Sequence, residues 1–138
     1  MTEPAPGGGS DPGMIQTTAT RKNGRWVING RKWYITGAGE AEHFILIAKT
    51  GVDARNGLTA FLFHRDDPGW RIERRIGIMG PEEHGGHCEL TFDGLTLDDD
   101  RILMGEGQGL KVTQIRLGLA RLTHCMRWLG LARRAVVI

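Results

Sequence analysis

The sequence has little cysteine, no long apolar run and almost no net charge, and each shortage excludes a class of protein. Cys88 and Cys125 are the only cysteines in 138 residues, too few for a disulfide framework, so we expect a reducing compartment, the cytoplasm. The longest apolar runs fall short of the about 18 residues that cross a membrane, and no basic-then-apolar leader is present. A net charge of +2 alone does not argue for nucleic acid or for an acidic membrane.

What the sequence does have is glycine, at 21 residues, within an otherwise ordinary composition that is 40% hydrophobic and 25% charged. Glycine supplies the positive φ angles that tight turns need, so a chain this rich in glycine is typical of short strands joined by many turns. The length fits one domain with a core of its own.

Alternating and continuous apolar patterns predict a mainly β fold up to Leu97. They indicate about seven short strands with no helix among them, at residues 14–20, 25–28, 32–36, 44–48, 58–63, 70–76 and 88–97. Two turns are predicted at Asn-Gly pairs, Asn23-Gly24 and Asn29-Gly30, because a type I′ turn needs positive φ at both central residues. We therefore expect an antiparallel β-barrel, with a kink at Asp93-Gly94 in the last strand.

After Gly109 the pattern becomes helical. Apolar residues recur at spacings of three and four, at Ile115, Leu119, Leu122, Met126 and Leu129. A helix over residues 110–138 would be longer than a small barrel needs, and its apolar stripe requires neighbouring helices. The sequence thus predicts a β domain over residues 1–103 and the start of a truncated helical bundle over residues 104–138.

The N-terminal loop is the most unusual segment. Residues 1–13 hold three of the five prolines and no helical or strand periodicity, so by composition alone the segment could be a mobile tail. Three motifs in order indicate a different interpretation: Thr2-Glu3-Pro4 with Gly9-Ser10-Asp11, then Asn29-Gly30-Arg31-Lys32-Trp33-Tyr34-Ile35-Thr36, then Gly107-Gln108-Gly109 with Arg121. Together they resemble the acyl-CoA dehydrogenase family of flavoproteins, whose central β-barrel domain is followed by a four-helix domain.

The resemblance implies an FAD cofactor and names the residues that would hold it. Met1 and Thr2 match the loop that contacts the isoalloxazine ring, and Ser10 matches the serine beside both flavin and acyl-CoA. Tyr34 and Thr36 match the strand residues that pack on the flavin and hydrogen-bond it. Short hydroxyls and a flat aromatic ring suit such a cofactor, since the protein tunes the ring by these contacts.

The resemblance also implies an acyl-CoA substrate, contacted by Ser10 and by helical Arg121. In the family's reaction a carboxylate removes the α-proton of the thioester while hydride leaves the β-carbon for the flavin. That carboxylate normally lies beyond the position of Ile138, so we expect no catalytic residue here and no dehydrogenase activity from this chain alone. An electron-transferring flavoprotein or similar acceptor and a homo-oligomer are the implied partners.

Other functions fit parts of the sequence. A non-catalytic domain that binds only flavin or a partner subunit stays possible, and a barrel with a basic helix could bind nucleic acid, although we expect none. We expect no metal site, because the adjacent pairs His87-Cys88 and His124-Cys125 cannot both face one ion from a regular element. Residues 105–109 resemble half of a dinucleotide fingerprint, but without a βαβ unit we interpret them as a hinge into the helix.

Overall fold

The structure, a computed structural model, describes residues 2–53, 56–80 and 84–137. Within these ranges six strands precede one long helix: β1 Thr18–Lys22, β2 Arg25–Thr36, β3 His43–Lys49, β4 Leu58–His64, β5 Trp70–Ile76, β6 His87–Leu97 and α1 Gly109–Val137. The predicted class, mainly β followed by a C-terminal helix, is confirmed. No helix among the described residues combines the length and apolar character that a bilayer crossing requires.

The six strands form one sheet in the order β4-β3-β1-β2-β6-β5. All pairs are antiparallel except β1 with β3, which meet in parallel at Thr18 and Lys49. Among the described residues, no hydrogen-bonded strand pair closes the sheet into a complete barrel, yet the sheet curls strongly. Phe63 on β4 and Trp70 on β5 lie at opposite ends of the strand order, and their ring centroids are only 5.2 Å apart.

The prediction of a hairpin at Asn29-Gly30 is wrong. The two strands predicted on either side of it are one strand, β2, so there are six strands where seven were expected. Residues 25–36 form one continuous strand because Asn29 pairs with β1 on one side and with β6 on the other. Gly30 is required for packing, since a Cβ there would lie 2.6 Å from the Thr17 backbone. The real hairpin is at Asn23-Gly24, where both residues have positive φ as a type I′ turn demands.

The last strand in the chain, β6, follows its prediction closely. β6 is continuous but irregular at Asp93-Gly94, where Gly94 has φ +76° and the pairing with β2 shifts by one residue. The amide of Gly94 donates to Asn29 Oδ1 at 2.9 Å, so the side chain of β2 satisfies the donor that the bulge releases.

Two apolar clusters hold the fold together. The larger fills the concave face of the sheet and contains Trp26 with four phenylalanines, at 44, 61, 63 and 92. The smaller joins the start of α1 to the sheet: Val112 packs on Ile15, Ile47, Leu58 and Ala60. Beyond the first turns α1 is exposed, and the apolar positions of its predicted stripe are 61–74% accessible.

Candidate functional site

The N-terminal loop docks on β2 through paired backbone and side-chain bonds. The Thr2 carbonyl accepts from the Trp33 amide at 2.9 Å, and the Thr2 hydroxyl donates to the Trp33 carbonyl at 2.6 Å. The loop is therefore not a free tail. The two motif segments, 31 residues apart in the chain, are adjacent in space.

A bulge in β2 makes this docking possible. Lys32 pairs with Leu90 and Ile35 pairs with Cys88, so Trp33 and Tyr34 together oppose a single residue of β6, Glu89. The bulge turns the Trp33 backbone away from the β6 ladder and toward Thr2. Bulges of this kind re-aim side chains, and here the re-aimed residues are the aromatic pair.

Tyr34 and Thr36 are presented to the surface by this geometry. Tyr34 has φ +55°, an uncommon conformation for an aromatic residue. The residue is 48% exposed, and its ring lies edge-on to Trp33. Thr36 is exposed, and its hydroxyl lies 2.8 Å from His87 Nδ1. An aromatic ring and a hydroxyl thus lie within three residues of each other on one accessible stretch of β2.

A buried ion pair fixes the loop, and the sequence analysis missed it. Glu3 and Lys32 have side chains only 2% and 3% exposed, with Nζ 2.6 Å from Oε1. The Glu3 carboxylate also accepts from the amides of Gln16 and Thr17, at 2.5 and 3.0 Å. The sequence feature that could have suggested this pair is that Glu3 and Lys32 lie within the first two motifs, Thr-Glu-Pro and Asn-Gly-x-Lys.

These contacts keep the Glu3 carboxylate ionised. Burial alone would raise its pKa, but hydrogen bonds from the side chains of Lys32 and Thr17, the positive charge of Lys32 and the Gln16 amide together outweigh burial and lower the pKa below 4.5. A carboxylate that accepts three donors holds three segments together: residue 3, residues 16–17 and the middle of β2.

A second buried carboxylate lies opposite the bulge. Glu89 is 1% exposed in its side chain and pairs with Arg31 and Arg74, the latter at 2.8 Å. Hydrogen bonding from Arg74, acting against burial and aided by Arg31, lowers the pKa of Glu89. The Arg74 guanidinium in turn lies 5.5 Å from the centroid of the Trp33 ring. The bulged aromatic pair is thus held from both sides.

An apolar cavity of about 450 Å³ opens between the sheet and α1 beside Thr2. Its lining is mostly aliphatic with two hydroxyls and one guanidinium, from Thr2, Ile45, Ile47, Val112, Thr113, Arg116 and Leu117. Such a volume with few polar groups suits a flat or acyl ligand.

Of the other predicted residues, the structure describes Ser10 and Arg121. Met1 lies outside the described residues. Ser10 is exposed in the N-terminal loop, and no hydrogen bond among the described residues joins it to Thr2, Tyr34 or Thr36. Arg121 is exposed on α1 and donates to Gln114 at 3.1 Å.

The carboxylates of Asp98 and Asp99, which follow β6, have structural partners. Asp99 accepts from Trp26 Nε1 at 2.8 Å and from Arg21 at 2.7 Å, while Asp98 pairs with Arg25. Within the parts of the chain that the structure describes, no group of three or more His, Cys, Asp or Glu side chains has the arrangement to hold a metal ion.

Comparison with known proteins identifies close counterparts. Residues 1–95 match the family model described as acyl-CoA dehydrogenase, middle domain. The chain is 39% identical to the probable acyl-CoA dehydrogenase FadE2 of Mycobacterium tuberculosis, covering 100% of this chain and 35% of FadE2. The chain thus spans about a third of that relative's length.

Solved structures agree with this match. A Mycobacterium abscessus protein assigned as an acyl-CoA dehydrogenase superposes with a TM-score of 0.84 at 36% identity, over 96% of this chain and 34% of that one. A structure described as an electron transferring flavoprotein of Acidaminococcus fermentans gives a TM-score of 0.72 at 31% identity, over 81% of this chain and 29% of the other.

Proposed function

The chain belongs to the acyl-CoA dehydrogenase family, of which it carries the middle domain, and from this premise we propose that it forms the FAD-binding part of an acyl-CoA-oxidising enzyme. When bound, FAD supplies the hydride acceptor for α,β-dehydrogenation of the thioester. We also propose the division into a β domain at residues 1–103 and the start of a helical domain at residues 104–138.

The observation that carries the proposal is the docking of Thr2 on Trp33. It brings the hydroxyl of the first motif to the same bulge that presents the Tyr34 ring and the Thr36 hydroxyl. These residues fit a flavin, which needs a flat apolar contact and hydrogen-bond partners at its ring heteroatoms. The name of the flavoprotein neighbour supports the same cofactor class.

The substrate and partners follow from family membership. We propose an acyl-CoA thioester contacted by Ser10 and Arg121, with the cavity beside Thr2 open to the flat or acyl portion of a ligand. An electron-transferring flavoprotein is the proposed acceptor, a homo-oligomer the assembled form, and the cytoplasm the compartment, on the cysteine argument. We propose that this chain alone does not turn over acyl-CoA, because in the family the proton-abstracting carboxylate comes from the C-terminal helical domain.

Titration of the purified chain with FAD, followed by quenching of flavin fluorescence, tests the proposal. Wild type should bind saturably, and Tyr34→Ala should raise Kd about tenfold, the value of one lost aromatic contact. Thr20→Val, an exposed threonine on β1, is the matched control and should bind like wild type. Absence of FAD binding by the folded wild-type chain would contradict the proposal, and binding of a single-stranded oligonucleotide instead would favour the nucleic-acid alternative.

A further inference from the structure

His87 contacts the hydroxyl of Thr36, one of the residues proposed to hold the flavin. It is the direct cross-strand partner of Thr36 in the β2–β6 ladder, and its Nδ1 lies 2.8 Å from Thr36 Oγ1. Thr36 is exposed and His87 is half-buried, so the imidazole supports the hydroxyl from the sheet side and leaves it accessible. His87 belongs to none of the three sequence motifs.

The backbone holds this pair firmly. Next to it the Gly37 amide donates to the Gly86 carbonyl at 2.8 Å, and the Gly39 amide donates to the Gly85 carbonyl at 3.1 Å. On its other side His87 pairs with Ile76 of β5. A side chain on a strand bonded at both edges can fix the geometry of the group it contacts.

The chemistry of the contact gives His87 a specific task. A threonine hydroxyl has one proton to donate, whereas imidazole Nδ1 either accepts or donates according to the tautomer. If Nδ1 is bare, the Thr36 proton is committed to it and the oxygen can only accept from a ligand. If Nδ1 carries the proton, it donates to Thr36 Oγ1 and the hydroxyl proton is free for the ligand.

We propose that His87 is a positioning residue that sets whether Thr36 donates to or accepts from the bound flavin. The inference rests on the proposed function. A flavin ring nitrogen accepts a hydrogen bond in the oxidised cofactor and carries a proton in the reduced one, so a partner that changes hydrogen-bond polarity serves both states. Exchange between the two neutral tautomers achieves this without any change in the charge of the site.

The test compares the affinity of the chain for oxidised FAD and for chemically reduced FAD. His87→Phe keeps a flat ring but removes Nδ1, and it should change the ratio of the two Kd values about tenfold, which corresponds to about 30 mV in the two-electron potential. His87→Asn restores a polar atom near the Nδ1 position and should return the ratio toward wild type. His43→Phe, on β3 against His64, is the matched control and should leave the ratio unchanged.

A second arm needs no cofactor and keeps the inference testable if His87→Phe does not fold. In flavin-free wild-type protein, the NMR chemical shifts of the His87 ring nitrogens should change on Thr36→Val, and unchanged shifts would overturn the inference. If wild type binds FAD but His87→Phe has the same Kd ratio, the inference is wrong and the proposed function stands. If the wild-type chain binds neither form of FAD, both are wrong.

Discussion

Two buried carboxylates lie beside neighbouring residues of β2, and they are neutralised in different ways. Glu3 meets Lys32 in a closed site where both side chains are almost fully removed from water. Glu89 is equally buried, but its partners Arg31 and Arg74 are each 55% exposed. The comparison teaches that burial of a carboxylate does not by itself predict how much its ion pair contributes to stability. Removing a partner that is exposed to water costs less free energy of unfolding than removing one that is buried with the carboxylate.

The largest effect is expected from breaking the closed pair. Lys32→Met leaves the Glu3 carboxylate buried without its cation and should lower the free energy of unfolding by about 3–5 kcal/mol. Urea unfolding followed by tryptophan fluorescence measures this. Lys22→Met, at an exposed lysine of β1, is the control and should change stability by less than about 0.5 kcal/mol.

A double variant sharpens the interpretation. Glu3→Gln combined with Lys32→Met removes both charges and keeps an amide oxygen for the backbone donors of Gln16 and Thr17. It should recover a large part of the loss, because no unpaired charge stays buried. Equal stability of Lys32→Met and Lys22→Met would show that the Glu3–Lys32 pair contributes no more to the free energy of unfolding than an exposed lysine does.

Substitution of Glu89, whose arginine partners are exposed, should lower stability less than breaking the Glu3–Lys32 pair, and the loss should depend on pH. Glu89→Gln weakens the acceptor for two arginines that can turn into water, at a cost of about 1–3 kcal/mol at neutral pH. Since the pKa of Glu89 is lowered in the folded protein, the unfolded chain takes up its proton first on acidification. Its stabilising contribution is therefore present above pH 4.5, the ordinary value, and is lost as pH falls through the folded pKa.

Urea unfolding at a series of pH values checks this sign. Wild type should lose stability more steeply than Glu89→Gln below pH 4.5, so the difference between them should shrink on acidification. Glu73→Gln serves as the control, because that more exposed carboxylate pairs with Arg71 at the edge strand β5. Parallel pH curves for wild type and Glu89→Gln would contradict the assignment.

The smallest effect concerns the docking of the loop itself. Thr2→Val removes the hydroxyl bond to the Trp33 carbonyl but keeps the backbone bond, and should cost about 0.5–1.5 kcal/mol. Thr2→Ser retains the hydroxyl and should stay near wild type. Thermal unfolding of the three proteins measures the difference, and a Thr2→Val protein as stable as wild type would mean that the hydroxyl bond adds nothing to the ion pair and the backbone bond.

The sequence predicted the elements of the fold better than their pairing. The turn at Asn23-Gly24 and the long helix follow from local residue patterns. Asn29-Gly30 misled because the same dipeptide that favours a turn also permits a close approach between neighbouring segments, here against Thr17. Local sequence cannot distinguish the two uses, since the difference lies in strands that are distant in the chain.

The candidate site shows the same contrast between what local sequence motifs predict and what only tertiary contacts reveal. The motifs predicted Thr2, Tyr34 and Thr36 as site residues, and in the structure Thr2 contacts Trp33 of the bulge, Tyr34 belongs to it and Thr36 lies two residues further along β2. The roles of Lys32 and Glu89 could not be predicted from residue type, because most lysines and glutamates are exposed and only tertiary packing removes these two from water.

The bulge has one practical consequence for solution studies. The Trp33 amide donates to Thr2 and not to the β6 ladder, so its hydrogen exchange reports on the N-terminal loop rather than on the sheet around it. A ligand that clamps the loop should slow exchange at this one amide more than at the adjoining positions of β2. The exchange rate of the Trp33 amide thereby reports opening of the N-terminal loop without any attached probe.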